Sequence, residues 1–326
     1  MAVARSRPRR TGRLVLAGTA LVVVLLVVAV LRPSAPVGHW TSAAGHDAFV
    51  EAYRRALAEM PAPARTLDLR TDHGVVRVYR FDGPAAGATP LVLLPGRASA
   101  SPVWADNLPS LLRVGDVYTV DLLGEPGLSV QERPVEDDAD QAAWLAQVLE
   151  QLPEESFHLV GLSIGGWTAA NLAVHRPERV ASLTLVDPVF VFADLSPEAV
   201  LRSVPASVRW LPRSWRDRFT SWTAGGAPVE DVPVADMIEL GMQHYALALP
   251  APARIEEAAV AGITVPTLLV VAGSSVMHDP EQVAANARRL LPEATVRVYA
   301  GASHAVNGEQ PERIADDLAE HTARRR

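Results

Sequence analysis

From about residue 65, short apolar runs recur along the chain with helix-like stretches between them. "TLDLR" and "VVRVYRF" flank "TDHG", the pattern of a strand hairpin closed at a glycine turn. Further runs follow at "LVLLP" (91–95), "VYTVD" (117–121), "FHLVG" (157–161), "SLTLVD" (182–187), "TLLVVAG" (267–273) and "TVRVYAG" (295–301). Runs that are apolar on both faces and separated by helices predict an α/β fold. Its mostly parallel, eight-stranded sheet is covered by helices on both faces, and the hairpin forms an antiparallel start.

Upstream, residues 32–62 read as a linker followed by one helix, "DAFVEAYRRALAEM", which stops at Pro61. The stretch between "SLTLVD" and "TLLVVAG" is far longer than a helical crossover requires. Its three helix-like segments predict a helical cap over residues 188–262, inserted into a core made of 63–187 and 263–322. Trp210, Trp215, Phe219, Trp222 and Tyr245 either line that cap above the sheet or form its own small core.

The N-terminus reads differently. "MAVARSRPRRTGR" is basic with no acid, and residues 14–31 carry no charge, a run long enough to cross a bilayer. The charge bias predicts a cytoplasmic tail at 1–13, a single membrane helix at 14–31 and an extracytoplasmic remainder. The competing reading is a cleaved signal peptide, whose best small-residue site, after Ala35, is followed by Pro36. A net charge of −7, despite the arginine-rich start, argues against a nucleic-acid partner. The absence of cysteine excludes disulfides, thiolate metal sites and a cysteine nucleophile. Composition leaves the oligomeric state open.

In an open sheet of this kind, ligands bind beyond the carboxyl ends of the strands. There the chain reads "VGLSIGGWTA", in which Gly161-Leu162-Ser163-Ile164-Gly165 matches G-x-S-x-G between a strand and a helix. A sharp turn at this point leaves the serine hydroxyl exposed above the sheet; the plainer alternative is a serine that caps the following helix. A hydroxyl nucleophile needs a base. His304, in "YAGASHAVNGEQPERI" after the last strand, lies on the same edge as Ser163, and His278 is a second candidate. His158 is expected to be packed, His39, His46 and His321 to be solvated, and His244 to sit in the insertion. No histidine and carboxylate cluster has zinc spacing, and neither dinucleotide nor phosphate-loop patterns occur, so no cofactor or metal is expected.

From about residue 64 to 320 the chain resembles α/β-hydrolase-fold proteins of the esterase, lipase and haloperoxidase-like type. The resemblance is carried by "LVLLPGRASAS", "VYTVDLLGEPGLS", "HLVGLSIGGWTAANLAVHRPERV" and "GASHAVNGEQPERI". It implies Ser163 as nucleophile, His304 as general base, and an oxyanion hole made by the backbone N–H groups of Arg97 and Ile164. The first of these follows Pro95-Gly96, where relatives usually carry His-Gly. The Arg97 side chain either lies on the surface or faces an anionic group of the substrate.

The acid departs from the pattern. Relatives commonly carry Gly-Glu-x-Asp after the seventh strand, whereas this chain reads Gly273-Ser274-Ser275-Val276-Met277-His278-Asp279-Pro280. Asp279 is the expected acid and Asp187, at the end of the sixth strand, the alternative; each also fits a plain turn or helix cap before proline. The implied function is a membrane-anchored serine hydrolase that cleaves a small or medium apolar carboxylic ester through an acyl-enzyme. The competing class is a catalytically retired fold that serves as an anchored binding scaffold, supported by the missing acid and the altered loop.

Overall fold

The computed structural model describes residues 35–85 and 87–323. Its central sheet contains β1 (Arg65–Thr71), β2 (Gly74–Phe81), β3 (Leu91–Leu94), β4 (Val117–Val120), β5 (Phe157–Leu162), β6 (Val180–Val186), β7 (Thr267–Ala272) and β8 (Thr295–Tyr299). Their order across the sheet is β8-β7-β6-β5-β3-β4-β2-β1. The strands from β8 to β4 pair parallel; β2 pairs antiparallel with both β4 and β1. A short strand, Val130–Gln131, adds to β2. The two-residue strands His39–Trp40 and Tyr245–Ala246 form a separate antiparallel pair. These pieces are too short to show a periodicity of their own.

Alternation along the strands divides the core between the two faces of the sheet. In β3, Val92 and Leu94 join one buried cluster while Leu91 and Leu93 join the other. In β7, Leu269 and Val271 face the first while Leu268, Val270 and Ala272 face the second. The outer strand β1 instead alternates between exposed and part-buried positions, as an edge strand packed on one side should.

The main helices are α1 (Ala43–Leu57), α2 (Asp138–Gln151), α3 (Ile164–His175), α4 (Pro197–Ser207), α5 (Arg213–Thr223), α6 (Pro233–His244), α7 (Pro280–Leu290) and α8 (Pro311–Ala323). Their starts follow ordinary capping chemistry: the side chains of Ser42, Asp137 and Ser196 accept backbone N–H groups of Gly45, Asp140 and Ala199. Helices α4, α5 and α6 lie in the long connection from β6 to β7. In that insertion Trp210 is 76% exposed and Trp215 also faces solvent, while Tyr245 is buried. Phe219 and Trp222 pair at 6.1 Å between ring centroids.

The expectation of a single-pass membrane protein with an extracytoplasmic domain is corrected here. Among the described residues no helix is long and apolar enough to cross a membrane. The longest, α1, has 15 residues and carries Arg54 and Arg55 in its last turn, against a requirement of about 20 apolar residues. The segment 14–31 on which the expectation rested lies outside the described residues. His321, expected in solvent, is buried near the end of α8.

Candidate active site

Three residues at the carboxyl edge of the sheet come together. Ser163 directly follows β5, Asp187 directly follows β6, and His304 lies in the segment after β8. Ser163 Oγ is 2.9 Å from His304 Nε2, and His304 Nδ1 is 2.6 Å from Asp187 Oδ2. With the imidazole neutral, the Ser163 hydroxyl donates to Nε2 and Nδ1–H donates to the carboxylate. Such a chain can take the hydroxyl proton while holding the resulting imidazolium against a negative charge.

The local backbone explains how Ser163 reaches that position. It joins β5 to α3 with φ 54° and ψ −114°. A Cβ added at Gly161 would run into the carbonyl of Gly165, and one added at Gly165 into the carbonyl of Leu94, so the turn closes only with glycine at both places. Ser163 stands at the N-cap position of α3 but makes no side-chain capping bond; its hydroxyl is directed to His304 instead. Among the described residues the non-glycine positions with positive φ are Ala98 (57°), Ser163 (54°), Asp187 (41°) and Phe190 (58°). All four lie in the segments after β3, β5 and β6. Strain of this kind costs of order 1–3 kcal/mol per residue and clusters at functional sites.

Asp187 is fully buried. Its Oδ1 accepts the Ala272 N–H at 3.0 Å, and its Oδ2 accepts the Ser275 hydroxyl at 2.7 Å as well as the imidazole of His304. His278 Nε2 approaches Oδ1 at 3.3 Å, an ion-pair separation rather than an aligned hydrogen bond, so both of its ring nitrogens are without a hydrogen-bond partner. Burial alone would raise the Asp187 pKa. The imidazoles of His278 and His304 outweigh it and hold the carboxyl well below the usual range.

Asp279 does not meet His304. It caps α7, where its Oδ1 accepts the N–H groups of Glu281 at 2.9 Å and Gln282 at 3.2 Å. The expected pairing of Asp279 with the histidine is therefore corrected to Asp187. The physical reason is local, because aspartate at the cap with proline at the first helical position satisfies the helix start by itself. His278, the second candidate base, faces the aspartate rather than the serine. His158 Nδ1 lies 2.7 Å from the Ser182 hydroxyl.

Ile164 opens α3, where backbone N–H groups are free of intrahelical partners. Arg97 lies in the loop after β3; its neighbour Gly96 packs beside the serine, with a Cβ built there 3.8 Å from Ser163 Cβ. The Arg97 guanidinium is 2.7 Å from buried Glu125 Oε1, so its charge is paired within the protein. Arg97 and Ile164 both line a cavity of about 20 Å³ together with Leu122, Trp167, Glu125 and Asp138, a mixed lining that does not include Ser163 or His304. The insertion touches the same edge, where Thr223 O accepts the backbone N–H of His304 at 3.1 Å. Among the described residues no group of acidic or histidine side chains is arranged to hold a metal.

Sequence and structure comparisons agree with this fold. A family model described as the alpha/beta hydrolase family matches residues 91–317. The carboxylesterase YbfK of Bacillus subtilis is 24% identical over 82% of this chain and 90% of its own length. The uncharacterized carboxylesterase nap of the same organism is 25% identical over 81% and 88%. The crystal structure of carboxylesterase CesB (YbfK) superposes with a TM-score of 0.77 at 23% identity, covering 85% of this chain and 98% of that one. That of naproxen esterase, also from Bacillus subtilis, gives 0.77 at 23% identity over 84% and 96%. With most of its length matched, the chain belongs to the alpha/beta hydrolase family, and carboxylesterases are among its relatives.

Proposed function

We propose that the protein is a serine hydrolase that cleaves a small or medium apolar carboxylic ester through an acyl-enzyme. The observation that carries this reading is the unbroken chain from Ser163 Oγ to His304 at 2.9 Å and from His304 to Asp187 at 2.6 Å. Ser163 Oγ attacks the ester carbonyl while His304 Nε2 takes its proton, and Asp187 stabilises the imidazolium. The backbone N–H groups of Arg97 and Ile164 hold the oxyanion. Collapse of the tetrahedral intermediate expels the alkoxide, which receives the proton from His304. Water, deprotonated by His304, then attacks the acyl-enzyme and returns Ser163 with release of the carboxylic acid.

An ester fits the carboxylesterase relatives. Pairing of Arg97 with Glu125 removes the reason to expect an anionic one. The alternative of a retired binding scaffold draws on the lack of an acid near the histidine, and the Asp187 contact takes that support away.

The test is hydrolysis of p-nitrophenyl acetate and butyrate, together with labelling by a fluorophosphonate, on the wild type and Ser163→Ala. Labelling and turnover in the wild type, with both lost in the variant, are expected. A folded wild type that neither turns over nor takes the label overturns the proposal.

A further inference from the structure

We propose that Glu125 is a positioning residue that fixes the oxyanion loop, an inference that rests on the reading of Arg97 N–H as an oxyanion donor. The two donors assigned to the oxyanion differ in what holds them. Ile164 N–H is set by the start of α3, a helix packed against its own preceding strand. Arg97 N–H belongs to the segment between β3 and the short helical turn Ser101–Trp104, where no regular element fixes it. Something else must hold that segment, because a donor misplaced by about 1 Å forfeits much of its effect on the transition state.

Glu125 meets that need. Its side chain is 2% exposed, although carboxylates are almost never fully buried without a partner. Oε1 lies 2.7 Å from Arg97 Nη1, and Oε2 accepts the Ala98 N–H at 3.1 Å. One carboxylate thus grips the side chain of Arg97 and the backbone of the next residue, with the Arg97 peptide between the two grips. Ala98 is also the residue held at φ 57°, a conformation that relaxes unless its surroundings oppose it.

A second buried acid secures the far end. Asp121 Oδ1 accepts the Ser101 N–H at 2.9 Å and the Ser101 hydroxyl at 2.7 Å, while Oδ2 accepts the Leu128 N–H at 2.8 Å and the Tyr53 hydroxyl at 3.0 Å. Both acids belong to the segment that follows β4. The loop after β3 is therefore clamped at two points by the loop after β4. In the proposed ester cleavage neither acid has a proton to move, so the clamp is what Glu125 contributes.

Glu125→Gln tests the assignment. Both groups that face the Glu125 oxygens are N–H donors, and an amide offers only one oxygen, so one grip becomes a donor facing a donor. The expected result is a fall in kcat of about 10- to 100-fold with KM within about twofold, below the loss for deleting an oxyanion donor outright. Affinity for phenylboronic acid, whose boron bonds Ser163 Oγ and presents an oxygen to the donors, should fall by a similar factor. Arg97→Ala removes one grip and keeps the backbone donor. It should give a smaller fall of the same kind, and it serves if Glu125→Gln does not fold. Asp279→Ala, a helix cap remote from this loop in its hydrogen bonding, supplies a variant with lowered Tm and unchanged kcat.

Wild-type kcat and boronate affinity in Glu125→Gln and Arg97→Ala, or a lowered Tm alone, would overturn the assignment while leaving the hydrolase reading intact. A wild type that neither hydrolyses p-nitrophenyl butyrate nor binds the boronate removes the hydrolase reading, and this assignment with it.

Discussion

Asp187 and Glu125 are buried to nearly the same degree at the same edge of the sheet, yet their acidities move in opposite directions. Glu125 is raised because burial outweighs one half-exposed guanidinium and one peptide N–H. Asp121, with four neutral donors and no cation, is raised for the same reason. At Asp187 burial also raises the pKa, but the imidazoles of His278 and His304 reverse it. Neutral dipoles, even joined by one part-exposed guanidinium, do not replace the lost hydration of these carboxylates; the two imidazoles set against Asp187 do. The difference suits the proposed roles, since a residue that supports a developing imidazolium must remain ionised and one that only accepts two donors need not be so acidic.

The sharpest way to break the comparison is Asp187→Asn. Steady-state kinetics on p-nitrophenyl butyrate should show kcat reduced by about 10⁴-fold, because an amide supports neither the imidazole tautomer nor its charge. Retention of wild-type kcat would return the search to another acid. The pH dependence of stability follows from the sign of the shift. The native pKa of Asp187 lies below its unfolded value of about 3.9. Its ionised form therefore stabilises the fold at all higher pH, and that contribution is lost as pH falls through the native value. Asp187→Asn should lack this acid-induced loss, visible as a flatter Tm profile below about pH 4.

His278→Leu should have a smaller effect. It removes one of the two imidazoles from Asp187, so the native pKa rises and acid unfolding, followed by circular dichroism, moves to higher pH. An unchanged midpoint would mean that His278 contributes no charge to the pair. Smallest of all, Asp279→Ala deletes a helix cap worth about 1 kcal/mol. It should lower Tm by about 2–4 °C by scanning calorimetry while leaving kcat unchanged.

The uneven legibility of this sequence has a physical cause. The strands of the parallel core read clearly because burial on both faces leaves them almost purely apolar, as in Leu91–Leu94 and Thr267–Ala272. Ser163, the proposed nucleophile, stands out because it follows such a run, and His304, the proposed base, because it follows the last strand. The carboxylate partner of His304 does not, because Asp187-Pro188 and Asp279-Pro280 are the same local signal, aspartate before proline after a strand. What separates them is that Asp279 opens "DPEQ", a helix start satisfied by its own backbone, whereas Asp187 has its partners more than eighty residues away on β7 and beyond. Glu125 was missed for a related reason. Between Gly124 and Pro126 it looks like an ordinary polar turn, and only the neighbouring loop reveals that it is covered. The one available clue is its place just beyond the carboxyl end of a central strand.

The insertion leaves the core immediately after Asp187, and its Thr223 carbonyl holds the backbone of His304. The insertion is thus strung between Asp187 and His304 like a string across two pegs. The insertion and the Ser163–His304–Asp187 chain therefore share two anchor points, one covalent at Asp187 and one hydrogen bond at His304.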